Sequence, residues 1–562
     1  MLFFALFLFC IGNVVSFHCV HDSTIQEMKP KKMEIHQKND KSLNFMTSNT
    51  QSNHPLKFYI DYQGLEAYVT VSDEYKTKIN EAFLSTTKAF SGLLSVEGTD
   101  TVLTFDEIDY CNSHLELTED YKTGINADIV IFPIVRTGKD LGSGVIASAK
   151  SCYLHSGTNR TIAGTVYIKS EYDFTKKNSD KYLQTILLHE LTHVLGFSSS
   201  LFEYFQSSSQ PITKKATING YTRTLITSPK VVKVAREYYG CDTLEGVELE
   251  NQGSSGSVGS HWEARIMMGD IMTSTDNYEY SISEITLALL EDSGWYKVNY
   301  YTGGLFKFGK KEGCTFLNST CIQNEKTNFP KEYCLNSDAS ICYTGGMIKG
   351  YCVLGKYSSS IPQGFQYFGD PTIGGLKNAD YCPMASVASD SEYLMPTFCK
   401  YGKPTDERTA LGEEIGDNSI CIDTTLSTNE DTTNKGASKA ICYKISCDDT
   451  NQSIIITIGQ KTVSCKEGTE SVTVEGYEGN IKCPQYSNFC HITTWCNDPF
   501  ECIEKKSIFN DLKDVTDKSY TQSDLNTTAY TQSDLNTTVI DINTSSLIKV
   551  STILLYLDIL LL

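Results

Sequence analysis

Two histidines with a glutamate between them have the spacing of a metal site. His189, Glu190 and His193 form the pattern HExxH. In an α-helix, residues four apart lie about 40° apart around the axis, so the two imidazoles would share one face and could hold one zinc ion. Glu190 would lie about 100° from His189, where its carboxylate could accept a proton from a water molecule. The pattern therefore predicts metal-assisted hydrolysis with Glu190 as the general base.

The apolar residues around this pattern support the helix that it requires. Leu183, Leu187, Leu191 and Val194 recur at the spacing of a buried stripe, on a different face from the histidines. Gly196 can adopt the left-handed conformation that ends a helix. The simpler interpretation is an amphipathic helix with two incidental histidines, because a catalytic zinc ion also needs a third protein ligand.

The candidate for the third ligand lies far along the chain. A compact site would have a histidine three residues after Gly196, but that position is Ser199. The next histidine is His261, which follows a long insertion and lies in the segment Gly-Ser-His-Trp-Glu. A downstream glutamate such as Glu248 is the alternative ligand.

Taken together, these segments resemble the leishmanolysin family of metzincin zinc metalloproteases. The HExxH pattern with its following glycine, the long insertion, the segment Gly-Ser-His-Trp-Glu-x-Arg at 259–265 and a later methionine all match that family. The segments at 241–251 and 292–296 are also similar to it. The resemblance extends from His18 to at least Cys502.

The resemblance implies a complete site for one zinc ion. The implied zinc ligands are His189, His193 and His261. Glu190 would be the base, and Met272 would form the Met-turn, in which a methionine packs beneath the metal without binding it. Met267 and Met268 are rival candidates for the Met-turn, and without the resemblance each of the three methionines is more often a plain core residue.

The amino-terminal segments predict export and latency. Residues 1–16 are apolar but short for a bilayer span, which favours a signal peptide over an uncleaved anchor. Residues 17–56 are polar and form the predicted propeptide. Cys19 lies in a His-Cys-Val-His-Asp segment that resembles the motif of leishmanolysin propeptides, whose thiolate is held on the zinc. The resemblance implies a latent precursor; the alternatives are a disulfide from Cys19 to the mature chain, or steric cover by residues 17–56.

The fold class that we predict is α+β, with a metzincin-type N-terminal catalytic domain at 57–200 that carries the active-site helix. A middle domain at 201–312 would carry the third histidine and the Met-turn. The expected elements are strands at 58–62, 129–134 and 161–168 and helices at 73–94 and 282–293. By the resemblance, the strand at 161–168 would border the cleft and could pair with a bound peptide. The alternative is a plain strand of the sheet.

The region at 313–512 is predicted to be a disulfide-rich C-terminal domain, mostly β or irregular. Fifteen of the 20 cysteines lie between Cys314 and Cys502, which is typical of a protein from an oxidising compartment. Without Cys10 and Cys19 an even number remains, which predicts nine disulfides. The resemblance suggests the pairs Cys111–Cys152 and Cys241–Cys314. The expected role of this domain is structural or adhesive.

The carboxyl-terminal segments predict attachment to a membrane. Residues 513–546 contain a nine-residue polar repeat and are predicted to form a stalk. Residues 547–562 form an apolar tail that is short for a membrane span but fits a signal for a glycosylphosphatidylinositol (GPI) anchor. Glycosylation is predicted at the sequon asparagines Asn159, Asn318 and Asn451.

The predicted function is that of a zinc-dependent endopeptidase, made as a latent precursor and then secreted or held at the cell surface by the lipid anchor. Its partners would be protein or peptide substrates. The net charge of −20 and the pI of about 5.0 argue against nucleic acid or anionic membrane surfaces as partners. The alternative function is a catalytically idle surface adhesin that keeps the fold. The sequence does not indicate an oligomeric state.

Overall fold

The computed structural model describes sixteen parts of the chain. They are residues 21, 29–34, 53–98, 102–142, 144–176, 179–207, 210–218, 220–252, 257–275, 279, 281–300, 306–336, 340–387, 397–400, 402–428 and 435–490. All of them fall within a compact unit that ends at Ala529, and the second unit, Tyr530–Leu562, lies outside them. The predicted signal peptide, Cys19, the polar stalk and the apolar tail also lie outside the described residues.

Ten α-helices occur in the described part of the chain, and most of them are short. They are α1 Asp73–Leu93, α2 Glu119–Thr123, α3 Gly138–Leu141, α4 Ser179–Leu195, α5 Pro229–Tyr239, α6 Ala264–Met267, α7 Glu284–Asp292, α8 Gly313–Asn318, α9 Asp406–Ala410 and α10 Tyr486–Phe489. The helix predicted at 73–94 is confirmed as α1. Within the same described residues, no helix combines the length and the apolar character needed to cross a bilayer.

Side-chain caps explain where two of the longer helices begin. Ser72 accepts a hydrogen bond from the amide of Tyr75 and so caps α1. Ser283 accepts one from the amide of Thr286 and caps α7. The helix predicted at 282–293 therefore begins two residues later than expected, because the cap residue itself is extended.

Thirteen strands lie in the part of the described chain that precedes residue 300. They are β1 Lys31–Met33, β2 Asn53–Pro55, β3 Phe58–Ile60, β4 Leu94–Glu97, β5 Val102–Leu103, β6 Ile125–Asn126, β7 Ile129–Arg136, β8 Ala147–His155, β9 Thr161–Lys169, β10 Thr213–Ile218, β11 Tyr221–Ile226, β12 Val247–Glu248 and β13 Lys297–Val298. The central sheet has the order β1-β8-β9-β7-β3. Strands β7 and β9 are almost continuously buried, as expected for strands covered on both faces.

The predicted strand at 161–168 is β9, and it does not border a cleft by a free edge. It pairs in parallel with β7 on one side and antiparallel with β8 on the other. Both rows of its backbone groups are therefore used, so a bound peptide cannot add to it. The prediction of a cleft-bordering strand at this place is wrong, and the alternative of a plain sheet strand is right. The outer neighbour is β8, whose far edge carries β1.

The remaining eleven described strands belong to the cysteine-rich region. They are β14 Ser340–Cys342, β15 Lys349–Val353, β16 Gly355–Lys356, β17 Ile373–Gly374, β18 Met384–Ser386, β19 Ser419–Thr424, β20 Lys439–Asp448, β21 Ser453–Ile458, β22 Lys461–Lys466, β23 Ser471–Val472 and β24 Ile481–Lys482. The largest sheet has the order β22-β21-β20-β19-β24-β23. A mixed helix and strand fold with a disulfide-rich, mostly β carboxyl-terminal region agrees with the expected class.

Eight disulfides join sixteen of the cysteines in the described residues. They are Cys111–Cys152, Cys241–Cys314, Cys321–Cys382, Cys334–Cys352, Cys342–Cys421, Cys399–Cys442, Cys447–Cys490 and Cys465–Cys483. The two pairs suggested by the resemblance are confirmed. A ninth disulfide stays a prediction, because the remaining cysteines lie outside the described residues.

One hydrophobic core runs through all three predicted globular regions. It extends from Leu56 to Met384 and includes the apolar stripe of α4. A second core lies within the cysteine-rich region, beneath the six-stranded sheet. The first half of the cysteine-rich region is therefore packed onto the part of the chain that carries the histidines. The domain boundaries given above stay predictions.

Candidate metal centre

Helix α4 carries two of the candidate ligands and is fixed against the central sheet. The hydroxyl of Ser151 in β8 donates a hydrogen bond to the carbonyl oxygen of Val194, at 3.1 Å. Gly164 in β9 allows a close approach, because a Cβ there would lie 2.5 Å from Cγ1 of Val194. The last turn of α4, which contains His193, is therefore held directly on the strands.

Helix α4 ends at Leu195 for a reason different from the one expected. Gly196 does not adopt a left-handed conformation, so that prediction is wrong. The amides of Gly196 and Phe197 both donate to the carbonyl oxygen of Thr192, at 3.1 and 3.0 Å. Glycine suits this position because of packing, since a Cβ would lie 3.2 Å from Cδ2 of Leu290.

The backbone around His261 is paired on both sides. The amide of Glu250 donates to the carbonyl oxygen of His261 at 2.8 Å, and the amide of Trp262 donates to that of Met272 at 2.9 Å. The Trp262 side chain is fully buried, and its Nε1 donates to Oγ1 of Thr286 at 2.8 Å. These contacts bring a residue from beyond the long insertion to a fixed place beside α4.

The three histidines converge through their Nε2 atoms. Nε2 of His189 lies 3.1 Å from Nε2 of His193 and 3.2 Å from Nε2 of His261. Nitrogen ligands at about 2.0 Å from a tetrahedral zinc ion would be about 3.3 Å apart. Within the described ranges, this is the one group of three potential ligand residues close enough to share a metal ion. The spacing of the three nitrogens therefore fits zinc.

Each of the three histidines donates its Nδ1 proton to a backbone carbonyl oxygen. The acceptors are Ile271 for His189 at 2.6 Å, Phe197 for His193 at 2.7 Å and Ser257 for His261 at 2.8 Å. A carbonyl oxygen can only accept, so the proton resides on Nδ1 and the lone pair on Nε2. The hydrogen bonds thus fix both the tautomer and the direction of each ring, as in metal-binding histidines.

Burial keeps the three imidazoles neutral. It lowers the pKa of His189 to about 4. It lowers the pKa values of His193 and His261 well below the ordinary value, and the neighbouring histidines lower them further. Neutral imidazoles are the form that binds a metal cation, so the cluster is suited to one at neutral pH.

The predicted base follows the first ligand directly on α4, and the alternative ligand does not join the three histidines. Glu190 is fully buried beside His189 on α4. Glu248 is also buried, but its carboxylate accepts a hydrogen bond from Nη2 of Arg265. His261, and not Glu248, is the residue that the structure brings to the other two histidines.

The three candidate methionines have different surroundings. Met272 is fully buried and follows Ile271, whose carbonyl oxygen accepts the His189 hydrogen bond. Sδ of Met267 accepts a hydrogen bond from the hydroxyl of Tyr239 at 2.9 Å. Met272 therefore belongs to a segment that directly contacts a ligand histidine.

A further histidine lies against this cluster that the sequence did not assign to any contact. The ring of His21 stacks on the ring of His193, with 3.9 Å between the centroids and 2° between the planes. Its Nδ1 lies 2.8 Å from the carbonyl oxygen of Ala149, and its Nε2 lies 2.8 Å from Oγ of Ser198. Burial lowers the pKa of His21 to about 3. The signal in the sequence was its place next to Cys19 in the propeptide motif.

A second segment of the predicted propeptide lies on the central sheet. Strand β1 pairs in parallel with β8, and Lys31 and Met33 align with Tyr153 and His155. The amide of Ser156 donates to the carbonyl oxygen of Met33 at 2.9 Å. Two described parts of the predicted propeptide therefore contact β8, His21 at Ala149 and β1 at 153–155.

The three predicted glycosylation sites differ in their exposure. Asn318 and Asn451 are exposed, whereas Asn159 is only half-exposed. Nδ2 of Asn451 donates to the carboxylate of Asp448 at 2.7 Å. Glycosylation at these three asparagines stays a prediction, as does the latency role of Cys19.

Comparison with known proteins gives a consistent result. The protein-family model described as leishmanolysin matches residues 92–495. A leishmanolysin homolog of Crithidia fasciculata is 30% identical over 404 residues, which cover 68% of this chain and 58% of that protein. A leishmanolysin of Leishmania donovani is 28% identical over 360 residues, covering 62% of this chain and 58% of that protein. A leishmanolysin-like peptidase of Drosophila melanogaster is 26% identical over 436 residues, covering 65% of this chain and 64% of that protein. The matches thus span less than two thirds of the length of each of these relatives.

Proposed function

This chain belongs to the leishmanolysin family, and from that membership we propose that it is a zinc-dependent endopeptidase made as a latent precursor. The observation that carries the proposal is the convergence of the Nε2 atoms of His189, His193 and His261. Each ring is held by its Nδ1 hydrogen bond, and each is neutral. Three neutral nitrogen ligands leave a fourth position open, which is the composition of a catalytic rather than a structural zinc site.

The residues of this site would divide the chemistry between them. A zinc ion held by the three histidines would supply the Lewis acid that polarises the water molecule and the scissile carbonyl. Glu190 takes a proton from the attacking water and delivers it to the leaving amine. The turn that contains Met272 would support His189 through the carbonyl oxygen of Ile271. The presence of Glu190 together with all three ligands favours an enzyme over an idle adhesin.

Two contacts of the propeptide support the latent state. His21 covers His193 by stacking and also hydrogen-bonds β8 through Ala149. Strand β1 occupies the outer edge of β8, where an extended peptide could otherwise add to the sheet. In this proposal, Cys19 is the group that blocks the open metal position, and the strand covers the adjoining binding edge.

The proposed location is the cell surface or the extracellular medium. The eight disulfides support passage through an oxidising compartment. Attachment through a glycosylphosphatidylinositol anchor is proposed from the sequence of residues 547–562 alone. The substrates are proposed to be proteins or peptides.

The decisive experiment is cleavage of a peptide library by the purified and processed protein, with and without a zinc chelator. We expect cleavage that the chelator stops and that added zinc restores. The Glu190→Gln protein is the matched control, because it should keep the metal ligands and lose cleavage. A processed protein that holds zinc but cleaves no peptide in the library, at any pH between 5 and 9, would contradict the proposal and favour the adhesin.

A further inference from the structure

The segment that follows His261 ends in a buried group of charged side chains. Trp262 and Glu263 continue from His261, and α6 then places Arg265 inside the protein. Arg265 contacts Glu248 through Nη2, and Arg223 of β11 lies beside them with Nε at 3.7 Å from the Glu248 carboxylate. All of these charged groups are at most 3% exposed. Such a cluster is stable only when the charges are well paired.

One member of this buried cluster comes from the cysteine-rich region. Asp380 is fully buried, and its two oxygens bind Arg223 in a fork, at 3.0 Å to Nη1 and 2.8 Å to Nη2. The same carboxylate lies 3.2 Å from Nε of Arg265. Asp380 therefore bridges two guanidinium groups that would otherwise repel each other in a water-excluded space.

The backbone that positions the Asp380 carboxylate has an uncommon conformation. Asp380 has φ 55° and ψ 32°, and Tyr381 has φ 62°, so two consecutive non-glycine residues are left-handed. This conformation costs free energy and persists only where the surroundings enforce it. The surroundings here include the hydroxyl of Tyr367, which donates to the carbonyl oxygen of Asp380 at 3.0 Å, and the disulfide Cys321–Cys382.

The same short loop also contacts the Met-turn side of the metal centre. Nδ2 of Asn378 donates to the carbonyl oxygen and to Oγ of Ser274, at 3.1 and 2.9 Å. Ser274 lies two residues after Met272, and its hydroxyl donates to the carboxylate of Glu250 at 3.2 Å. The loop thus holds the chain after His261 at two places, at Arg265 through Asp380 and at Ser274 through Asn378.

We propose that the loop at 376–382 is a positioning element of the metal centre, in which Asp380 fixes the segment of the third zinc ligand through Arg265 and Arg223. The cysteine-rich region is then a required part of the zinc site, not a separate adhesive module. This inference rests on the proposed zinc site. Asp380 itself does not touch the metal; it acts through the backbone and side chains that place His261.

The test compares zinc release from purified full-length protein carrying Asp380→Asn or Glu413→Gln. Glu413 is the matched control, because it is a fully buried carboxylate of the same region that pairs with Lys349 at 2.9 Å. Zinc release to a chromogenic chelator should be about 10- to 100-fold faster in Asp380→Asn, as for other groups that orient metal ligands. In Glu413→Gln the rate of zinc release should stay within about twofold of that of the unmodified protein, because the pair of Glu413 and Lys349 is independent of the zinc site. Both variants should lose thermal stability.

A spectroscopic measurement separates positioning from general destabilisation. With cobalt in place of zinc, the visible ligand-field bands of folded Asp380→Asn should shift, whereas those of Glu413→Gln should match the unmodified protein. Equal zinc release and equal cobalt spectra in the two variants would overturn the inference and leave the zinc site standing. An unmodified protein that binds no zinc would instead overturn the proposed function.

A milder variant decides the question if Asp380→Asn does not fold. Asn378→Ala removes two hydrogen bonds from a side chain that is only partly buried. Its zinc release should be about threefold faster than that of the unmodified protein. A rate unchanged from the unmodified protein would overturn the inference.

Discussion

The ring of His21 lies flat against the ring of His193, with 3.9 Å between the centroids and 2° between the planes. A residue of the predicted propeptide is thus in contact with a candidate metal ligand that lies far from it in the sequence. The contact is fixed by two hydrogen bonds of His21, to Ala149 of β8 and to Ser198 just after α4. Under the proposed latency, processing of the precursor would have to break these contacts before a substrate could occupy the same space.

The contact at His21 makes a specific prediction for Cys19. Cys19 lies two residues before His21 in the sequence, and two residues span at most about 7 Å, which is compatible with the proposal that its thiolate blocks the proposed zinc site. We expect the unprocessed Cys19→Ser precursor to cleave peptides, whereas the unmodified precursor stays silent until it is processed or treated with a mercurial. Peptide cleavage assays on both precursors check this. If the variant precursor is silent while the processed enzyme is active, the thiolate is not the block and steric cover is the mechanism.

Strand β1 should compete with substrate for the edge of β8. Met33 is 8% exposed and packs in a core cluster. Met33→Asp would bury an unpaired charge there, which should displace β1 from the edge of β8. In the Cys19→Ser precursor, this second change should lower KM for peptides by several-fold and leave kcat unchanged. Steady-state kinetics measure the two constants. Lys32→Asp is the control, because the same charge enters at an exposed position of the strand; an equal KM in all three precursors would show that β1 does not cover the binding edge.

Replacing the base and replacing a metal ligand should have different effects on the processed protein. Glu190→Gln should keep its zinc and lose about 10²- to 10⁴-fold in kcat, which is the usual contribution of a general base. His261→Ala should lose zinc, because only two of the three imidazole ligands remain to hold it. Metal analysis together with peptide turnover distinguishes the two results. Full zinc occupancy in His261→Ala would remove this histidine from the site.

The close approach of β9 to α4 should make Gly164 intolerant of any side chain. In Gly164→Ala the new Cβ would lie 2.5 Å from Cγ1 of Val194 and 3.0 Å from the carbonyl oxygen of Lys150. We expect a loss of about 1–3 kcal/mol in the free energy of unfolding, the usual cost of overpacking. Urea unfolding measures it. Gly416→Ala is the control, since no atom lies within 4 Å of its new Cβ, and it should change the stability by less than about 1 kcal/mol. Equal stability of the two variants would contradict the close packing.

The stability of the precursor should depend on pH through His54. Its Nε2 lies 3.1 Å from the buried carboxylate of Asp128, and this hydrogen bond raises the pKa of His54. Because the folded pKa is raised, the contribution is complete below the unfolded value of about 6.5 and is lost as the pH rises through the folded value. The melting temperature of His54→Gln should therefore lie furthest below that of the unmodified precursor near pH 5.5, and the gap should narrow towards pH 9. A gap that is constant over this range would show that the pair is not charged.

The sequence alone determined those features that depend on neighbours along the chain. The spacing of His189 and His193 placed both on one face of a helix, because this relationship repeats every turn. The strands β7 and β9 and the helix α1 were predicted for the same reason. The apolar stripe predicted that its own residues are buried, but α4 is buried on all sides from Thr185 to Leu195. His261 was assigned through the resemblance of its segment to a family, since no local rule connects it to α4.

Only the tertiary structure decided the contacts between distant segments. It placed β9 inside the sheet and β8 beside the propeptide, because strand order depends on long-range pairing that a strand pattern does not encode. It also brought His21 onto His193 and Asp380 between Arg223 and Arg265. A buried charge or a stacked ring is stable only where several remote elements meet, so its partners are fixed by the packing of the whole chain and not by its neighbours in sequence.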